Sequence, residues 1–259
     1  MRLTDKKIIK KVKDMMKKNV VLALLSIVLL ASCKIEMNNW NKVEPSNNIV
    51  KNEYKMDSFD QMKVDLVANV KFIQGKEGDY RVVMSCPDNY VDLIGFGVRS
   101  DGELEVHFVK DNINIDAEHV DITVYAPALR KLENSGVASV EVDRLKGDRM
   151  EVENSGVGSI YLSGLQLVDL DAECSGVGGV ELSGQAERVD LECSGVGSIK
   201  AENLKAKTVK AEVSGVGGIS CYASERIEGE VSGVGSLKYG GKPGEKALKR
   251  DGIGEIAEL

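Results

Sequence analysis

Histidine is nearly missing: the chain has only His107 and His119 among its 259 residues. So few imidazoles leave little for a His-rich metal centre or a His-based catalytic triad, and both read as surface side chains in or beside strands. Aromatics make up 5% of the sequence, with a single Trp, which argues against base-stacking platforms and sugar-stacking clefts. An excess of basic charge is also lacking. With 34 Lys+Arg against 41 Asp+Glu the formal charge is −7, so no general basic surface is available for nucleic acid. Nor is there a long apolar run. The longest, Val20 to Ala31, is broken by Ser26 and falls short of the ~20 residues that a helix needs to cross a bilayer.

Residues 1–18 hold eight basic side chains and two acids and lead into that apolar run. A basic start, a short apolar stretch and a small-residue site form a secretory signal. The site, Leu30-Ala31-Ser32-Cys33, resembles the bacterial lipobox. That resemblance implies cleavage before Cys33, attachment of a diacylglycerol to its sulfur and acylation of the new amine. Stable anchoring does take more than one acyl chain. Residues 1–32 are therefore expected to be a lipoprotein signal peptide and Cys33 the lipidation site. A buried apolar helix with an incidental Cys, and an uncleaved anchor, are the weaker readings.

Losing residues 1–32 leaves 26 bases against 39 acids, a net charge of −13. Anionic headgroups would repel such a body, so the lipid, not the protein surface, must hold it to the membrane. From Lys34 to Asn52 the chain is polar and Asn-rich, with Pro45. Residues 33–52 therefore read as a lipid-anchored flexible tether.

What the sequence does contain is a repeat. Ser-Gly-Val recurs at 135–137, 155–157, 175–177, 194–196, 214–216 and 232–234, with a degenerate copy at Asp251-Gly252-Ile253. Self-similarity at a fixed period sets the architecture. Each repeat holds two alternating runs split by a Gly-rich turn: Val168, Leu170, Ala172 and Cys174 alternate with acids, and Val180 and Leu182 flank Glu181. Period-two alternation is the strand signature. A unit of ~20 residues with two short strands cannot bury its apolar face alone and must stack on its neighbours. Strands that follow in the same direction form parallel ladders, and the crossover preference sets the hand. The expected fold is all-β, a right-handed parallel β-helix with ~20-residue coils rising ~4.8 Å each. It is expected to be irregular over residues 53–129 and regular over 130–259, closing in a C-terminal cap. A propeller, at ~40 residues per blade, does not fit the period.

Aligned on the Ser, the coils become columns. Two residues after it stand Val137, Val157, Val177, Val196, Val216, Val234 and Ile253, expected as a β-branched interior stack. The Gly between, from Gly136 to Gly252, marks a corner that needs positive φ or close backbone approach. One residue before the Ser come Asn134, Asn154, Cys174, Cys193, Val213, Val231 and Arg250. Parity turns this column inward, with Asn134 and Asn154 as an amide ladder. Two residues before the Ser stand Glu133, Glu153, Glu173, Glu192, Glu212 and Glu230, then Lys249. Like charges ~5 Å apart on an outward line repel unless they are screened, protonated, paired or bridged by cations. The plain reading is a solvated acidic edge. The sharper ones are a ladder for a divalent cation or a partner, since hard cations take several carboxylate oxygens, and a catalytic line of the kind polysaccharide-cleaving β-helices carry. The adjacent column, Lys131, Glu151, Asp171, Asp190, Lys210 and Glu228, mixes signs and forms no consistent catalytic set. No catalytic residue is assigned, and no cofactor beyond such a cation.

Besides Cys33 the chain has Cys86, Cys174, Cys193 and Cys221. Cys174 and Cys193 share a column in successive coils, within disulfide reach, but identical parallel positions point their Cβ atoms alike. Two stacked buried thiols are expected.

Residues 53–128 lack the triplet yet alternate, as in Val64, Leu66, Ala68 and Val70, or Val120, Ile122 and Val124. Only 5 of the 27 Gly precede residue 130, so these coils turn differently. On the stretch from Phe59 to Gly75, the run Val120-Asp121-Ile122-Thr123-Val124-Tyr125-Ala126-Pro127-Ala128-Leu129 and the repeated Ser-Gly-Val-Gly-Ser-Ile, the chain resembles the autotransporter-adhesin head GIN domains of Bacteroidetes-type bacteria. The resemblance spans roughly residues 55–256. It implies a right-handed β-helical body on a lipid anchor and an adhesin-like role, with no catalytic residues to carry over.

The sequence thus points to a non-enzymatic envelope lipoprotein of the outer membrane. It would present repeat faces to a glycan or a surface protein and touch the membrane through its lipid. A polysaccharide-cleaving enzyme and a periplasmic scaffold are the alternatives. The enzyme requires aromatic subsites, whereas Tyr161, Tyr222 and Tyr239 are scattered, and the scaffold requires open ends.

Overall fold

The computed structural model describes residues 41–259. The expected signal peptide, Cys33 and the first part of the tether lie outside the described residues. The described chain is 67% strand and forms a parallel β-solenoid of about six turns.

Alternation places the strands. In Arg149–Asn154 and Asp169–Cys174 every second residue is buried, and the two pair in parallel with Asn154 beside Cys174. One side of the solenoid stacks Gln61–Asp65, Lys131–Asn134, Arg149–Asn154 and Asp169–Cys174, and continues through 188–193, 208–213 and 226–231 to Glu245–Arg250. The next side stacks Val67–Gln74, Val137–Asp143 and Val157–Gln166, then 177–182, 196–201, 218–222, Ser236–Gly240 and Glu255–Glu258. A third, shorter side follows, where Gln166 pairs with Gln185, Gln185 with Lys205, and Ala186 with Ala206. Columns of Val, Leu, Ile and Ala from all three sides fill the interior. Burial of these apolar columns supplies the main favourable term.

Coil order departs from chain order at the N-terminal end. Gln61–Asp65 lies between Lys131–Asn134 and Glu103–Phe108, and Val67–Gln74 between Val137–Asp143 and Asp121–Ala126. The chain therefore enters at the second level, drops back to build the first, then steps over to the third. Residues 53–129 are more than irregular coils, because antiparallel strands seal this end. Arg81–Pro87 pairs antiparallel with Asp121–Ala126 and with Ile49–Lys55, and Ile94–Val98 pairs antiparallel with Glu103–Phe108. Aromatic side chains gather here. Tyr54 meets Phe96 at 5.0 Å between ring centroids and Phe59 meets Tyr80 at 5.7 Å.

Part of the stretch expected as a tether over residues 33–52 belongs to the body instead. Ile49–Lys55 is a strand, Ser46 Oγ and Asn48 Nδ2 donate to the Asp88 carboxylate, and the buried Tyr90 hydroxyl donates to Val43 O at 2.8 Å. Asn and Ser there satisfy a turn on the body rather than solvating a linker.

Corner glycines decide how closely the coils stack. A Cβ on Gly176 would sit 2.1 Å from Gly156 O and 2.6 Å from Ser155 C. Gly178, at φ 145°, would place one 1.8 Å from Gly158 O. No side chain fits at either position. Gly176→Ala is expected to lower stability by about 2 kcal/mol or more, as overpacking against immobile backbone does. Gly147→Ala, where the nearest atom would be Leu167 Cδ2 at 3.8 Å, is expected to stay within about 0.5 kcal/mol. Urea unfolding of the two variants checks the contrast.

Candidate functional site

Stacking turns each outward position into a ladder, and these ladders are the candidate surfaces. The six glutamates do fall in one: Glu133, Glu153, Glu173, Glu192, Glu212 and Glu230 are register partners in successive coils. A lysine closes each end. Lys63 Nζ lies 2.5 Å from Glu133 Oε1, and Lys249 Nζ lies 2.9 Å from Glu230 Oε1. Within the line, Lys131 reaches Glu153 at 3.8 Å and Lys210 reaches Glu212 at 2.7 Å. Both lysines come from the adjacent mixed column, whose two bases thereby gain a role in neutralising the acidic line. Among the described residues no group of three or more His, Cys, Asp or Glu is placed to hold a metal ion. The carboxylates run along the axis instead of converging, and Glu133, Glu153, Glu212 and Glu230 turn to lysines, so the ladder does not form a cation cage.

The valine column is a correction. Val137, Val157, Val177, Val196, Val216 and Val234 are 49–58% exposed, and Ile253 is 88% exposed. They form an outward ridge, not an interior stack. The cause is the pair of small residues around each Val, two glycines in every repeat but the first, where Ala138 follows Val137. Gly176 and Gly178 take the inward positions, where only bare backbone fits, so Val177 between them must point out.

The column expected to face inward does so. Asn134 and Asn154 are fully buried, and Asn134 Nδ2 donates to Asn154 Oδ1 at 2.9 Å. Asn154 Nδ2 also donates to Gly158 O at 3.1 Å, and the Cys174 and Cys193 thiols reach the corresponding carbonyls of Gly178 and Gly197. Buried this way, the two amides have no access to a ligand. All four described cysteines are free thiols and buried. A hydrogen bond shared with Cys193, together with burial, pushes the Cys174 thiol up, and burial pushes Cys221 up to about 12. Thiols held protonated are poor nucleophiles.

His119 is exposed, as expected, but His107 is not simply a surface residue. Its ring packs on the bare backbone of its cross-strand partner Gly95, and its Nδ1 is buried without a hydrogen-bond partner.

The columns of the third side are absent from the sequence reading. Gln74, Lys146, Gln166, Gln185, Lys205 and Tyr222 follow one another from coil to coil. The Gln74 amide donates to Lys146 O and accepts from Lys146 N, the Lys146 backbone bridges to Gln166, and Lys205 Nζ sits 3.8 Å over the Tyr222 ring. Spacing from the Ser hid them, because bulges shift the register between 162 and 165, 181 and 183, and 201 and 206.

A stack of parallel coils whose outward residues repeat in lines defines a parallel β-solenoid. The chain belongs to the family described as "Putative auto-transporter adhesin, head GIN domain", which it matches over residues 58–243. A crystal structure of a "putative adhesin" from Bacteroides fragilis NCTC 9343 is similar at 34% identity and TM-score 0.80, covering 84% of this chain and all of that one. A "putative lipid binding protein" from Parabacteroides distasonis ATCC 8503 shares the fold at 21% identity and TM-score 0.69, over 85% of this chain and 100% of its own. So does a "putative adhesin" from Parabacteroides merdae ATCC 43184 at 20% identity and TM-score 0.64, over 85% of this chain and 99% of its own. No curated protein matches the sequence.

Two predictions follow from the columns. Val177→Thr leaves its hydroxyl in water and is expected to be neutral within about 0.5 kcal/mol. Val180→Thr, 1% exposed, buries the hydroxyl and is expected to cost more than about 1 kcal/mol in thermal unfolding. The second concerns Glu153, whose carboxyl is raised above the usual range by burial and by Glu133. A raised carboxyl holds its proton more tightly in the folded chain than in the unfolded one. Its penalty is therefore absent below the unfolded value and grows as pH rises through the folded one. Glu153→Gln, which leaves Lys131 on Glu151 at 2.8 Å, is expected to raise the neutral-pH Tm by about 2 °C or less. That gain should vanish below about pH 4, where wild type is protonated too.

Proposed function

We propose that the chain is a non-catalytic envelope lipoprotein, held by a lipid on Cys33 in the outer membrane, whose solenoid binds a glycan or a surface protein through its lateral ladders. The observation that carries this reading is the arrangement of the outward side chains, which repeat coil after coil along the axis and do not converge on a point. Catalysis needs groups of different role brought to one bond. Recognition of a repeating or extended partner needs the regular face that a solenoid offers. Membership of a family named for adhesins supports the same reading, and so does the lipobox at Leu30–Cys33. Among the described residues no helix is long and apolar enough to cross a membrane.

Protease shaving of intact cells tests exposure. Loss of the body from sealed cells is the expected result, whereas full protection until the envelope is opened would overturn the adhesin reading in favour of a periplasmic scaffold. Cys33→Ser tests the anchor, and the body is expected to move from the membrane fraction to the soluble one.

A further inference from the structure

In a chain with 41 acids, one outward column has none over six successive levels. Gln74, Lys146, Gln166, Gln185, Lys205 and Tyr222 run up the third side, while the first side presents an unbroken line of six glutamates. Among the described residues Lys146 and Lys205 make no ion pair. This sets them apart from Lys63, Lys131, Lys210 and Lys249 of the first side, which are all paired. Lys205 is instead held over Tyr222 by a cation–π contact, which fixes its ammonium without neutralising it. The upper part of the column borders an open groove of about 470 Å³. Its floor is low because Ala186 and Ala206 stack there, and its far wall is the Glu187–Lys207 pair at 2.9 Å.

We propose that this column binds an acidic glycan laid along the solenoid axis. The inference rests on the adhesin reading and gives it a face and a ligand class. One coil rises ~4.8 Å, about the length of one sugar residue, so an extended glycan meets one coil per sugar. Lys146 and Lys205 stand three coils apart, ~14 Å, and pair with carboxylate or sulfate groups of the ligand. Between them the Gln166 and Gln185 amides, each both donor and acceptor, match uncharged sugar hydroxyls. Tyr222 positions Lys205 and does not serve as a free stacking platform, because the ammonium covers its ring. Nucleic acid and anionic bilayers are the poorer fit. Two free lysines neutralise too few phosphates, and a flat bilayer would also meet the acidic body.

The full chain, purified in detergent, is titrated calorimetrically with an oligogalacturonate and with an oligomannuronate, in each of which every sugar carries a carboxylate, so that sugars three apart face Lys146 and Lys205. A neutral N-acetylglucosamine oligomer of matched length completes the set. Binding of at least one acidic oligomer in preference to the neutral one is expected. Lys205→Glu should weaken it about tenfold or more, and Gln166→Ala with Gln185→Ala should weaken it further. Glu173→Gln on the first side should leave it unchanged. All the substituted residues are solvent-facing, and an unaltered melting temperature verifies that each variant is folded. Binding of neither acidic oligomer overturns the proposal, as does binding that Lys205→Glu does not change. Tighter binding to phosphatidylglycerol vesicles than to either acidic glycan also overturns it. Failure of the adhesin reading looks different: the purified chain binds and loses binding with Lys205→Glu, yet cells protect the body from protease.

Discussion

Backbone lies directly on backbone at the Ser-Gly-Val-Gly corner, and the rest of the solenoid is built on that contact. Gly156 N donates to Asn134 O, Val157 N to Gly136 O and Val177 N to Gly156 O, so the ladder of main-chain bonds runs through the bend unbroken. A buried amide without a partner is costly, and an ordinary turn would leave several. Letting the ladder continue requires the coils to approach more closely than a Cβ permits, which is why Gly recurs at both positions. The six repeats are therefore the imprint of a steric limit and not a recognition motif. Their constancy says how the chain turns, while the residues that vary from coil to coil say what it presents.

How much of this was legible depended on whether local pattern and tertiary contact agreed. The strands, the parallel stacking and the inward Asn–Cys column could be read because alternation and period point the same way. Val177 could not be placed by its residue type. A β-branched side chain suggests an interior, but its orientation is decided by Gly176 and Gly178, which leave only the outward side open. The antiparallel strands near Arg81 and Ile94 were hidden for another reason: alternation marks a strand without marking its partner, and nothing local reveals that 61–74 is sandwiched between two later segments. The third side was hidden by bulges. With one to several residues gained or lost there per coil, Gln166, Gln185 and Lys205 no longer stand at a constant distance from the Ser.

Stacking also explains how an acidic chain tolerates a line of glutamates. Each added coil brings another carboxylate next to the last, so repulsion would accumulate along the axis if nothing interrupted it. Lysines interrupt it at both ends and from the adjacent column at Glu153 and Glu212. Exposed pairs of this kind contribute little each. Their effect is to remove a penalty from the register rather than to hold the coils together, a task that falls to the buried columns and the corner.

The two ends of the solenoid are closed by different physics, with one consequence. At the N-terminal end the parallel ladders are covered by antiparallel strands and by the Tyr54–Phe96 contact, so no parallel coil can add there. At the other end the inward column runs out in charge: Arg250 follows Val231, and Lys246 follows Ile227. Arg250 Nη1 donates to Gly254 O, the position that Asn154 and the thiols take in the coils below, and Lys246 reaches Glu258. Inward-pointing charges at an edge deter another strand from adding, because that strand would have to bury them. With growth blocked along the axis, the surface left for a partner is lateral. There the choice lies among an acidic side partly neutralised by its own lysines, an apolar ridge one residue wide, and a third-side column whose Lys146 and Lys205 make no ion pair among the described residues. Only the last presents unsatisfied charge of one sign together with neutral hydrogen-bonding groups, which is the combination that an uncharged or cationic partner would leave unused.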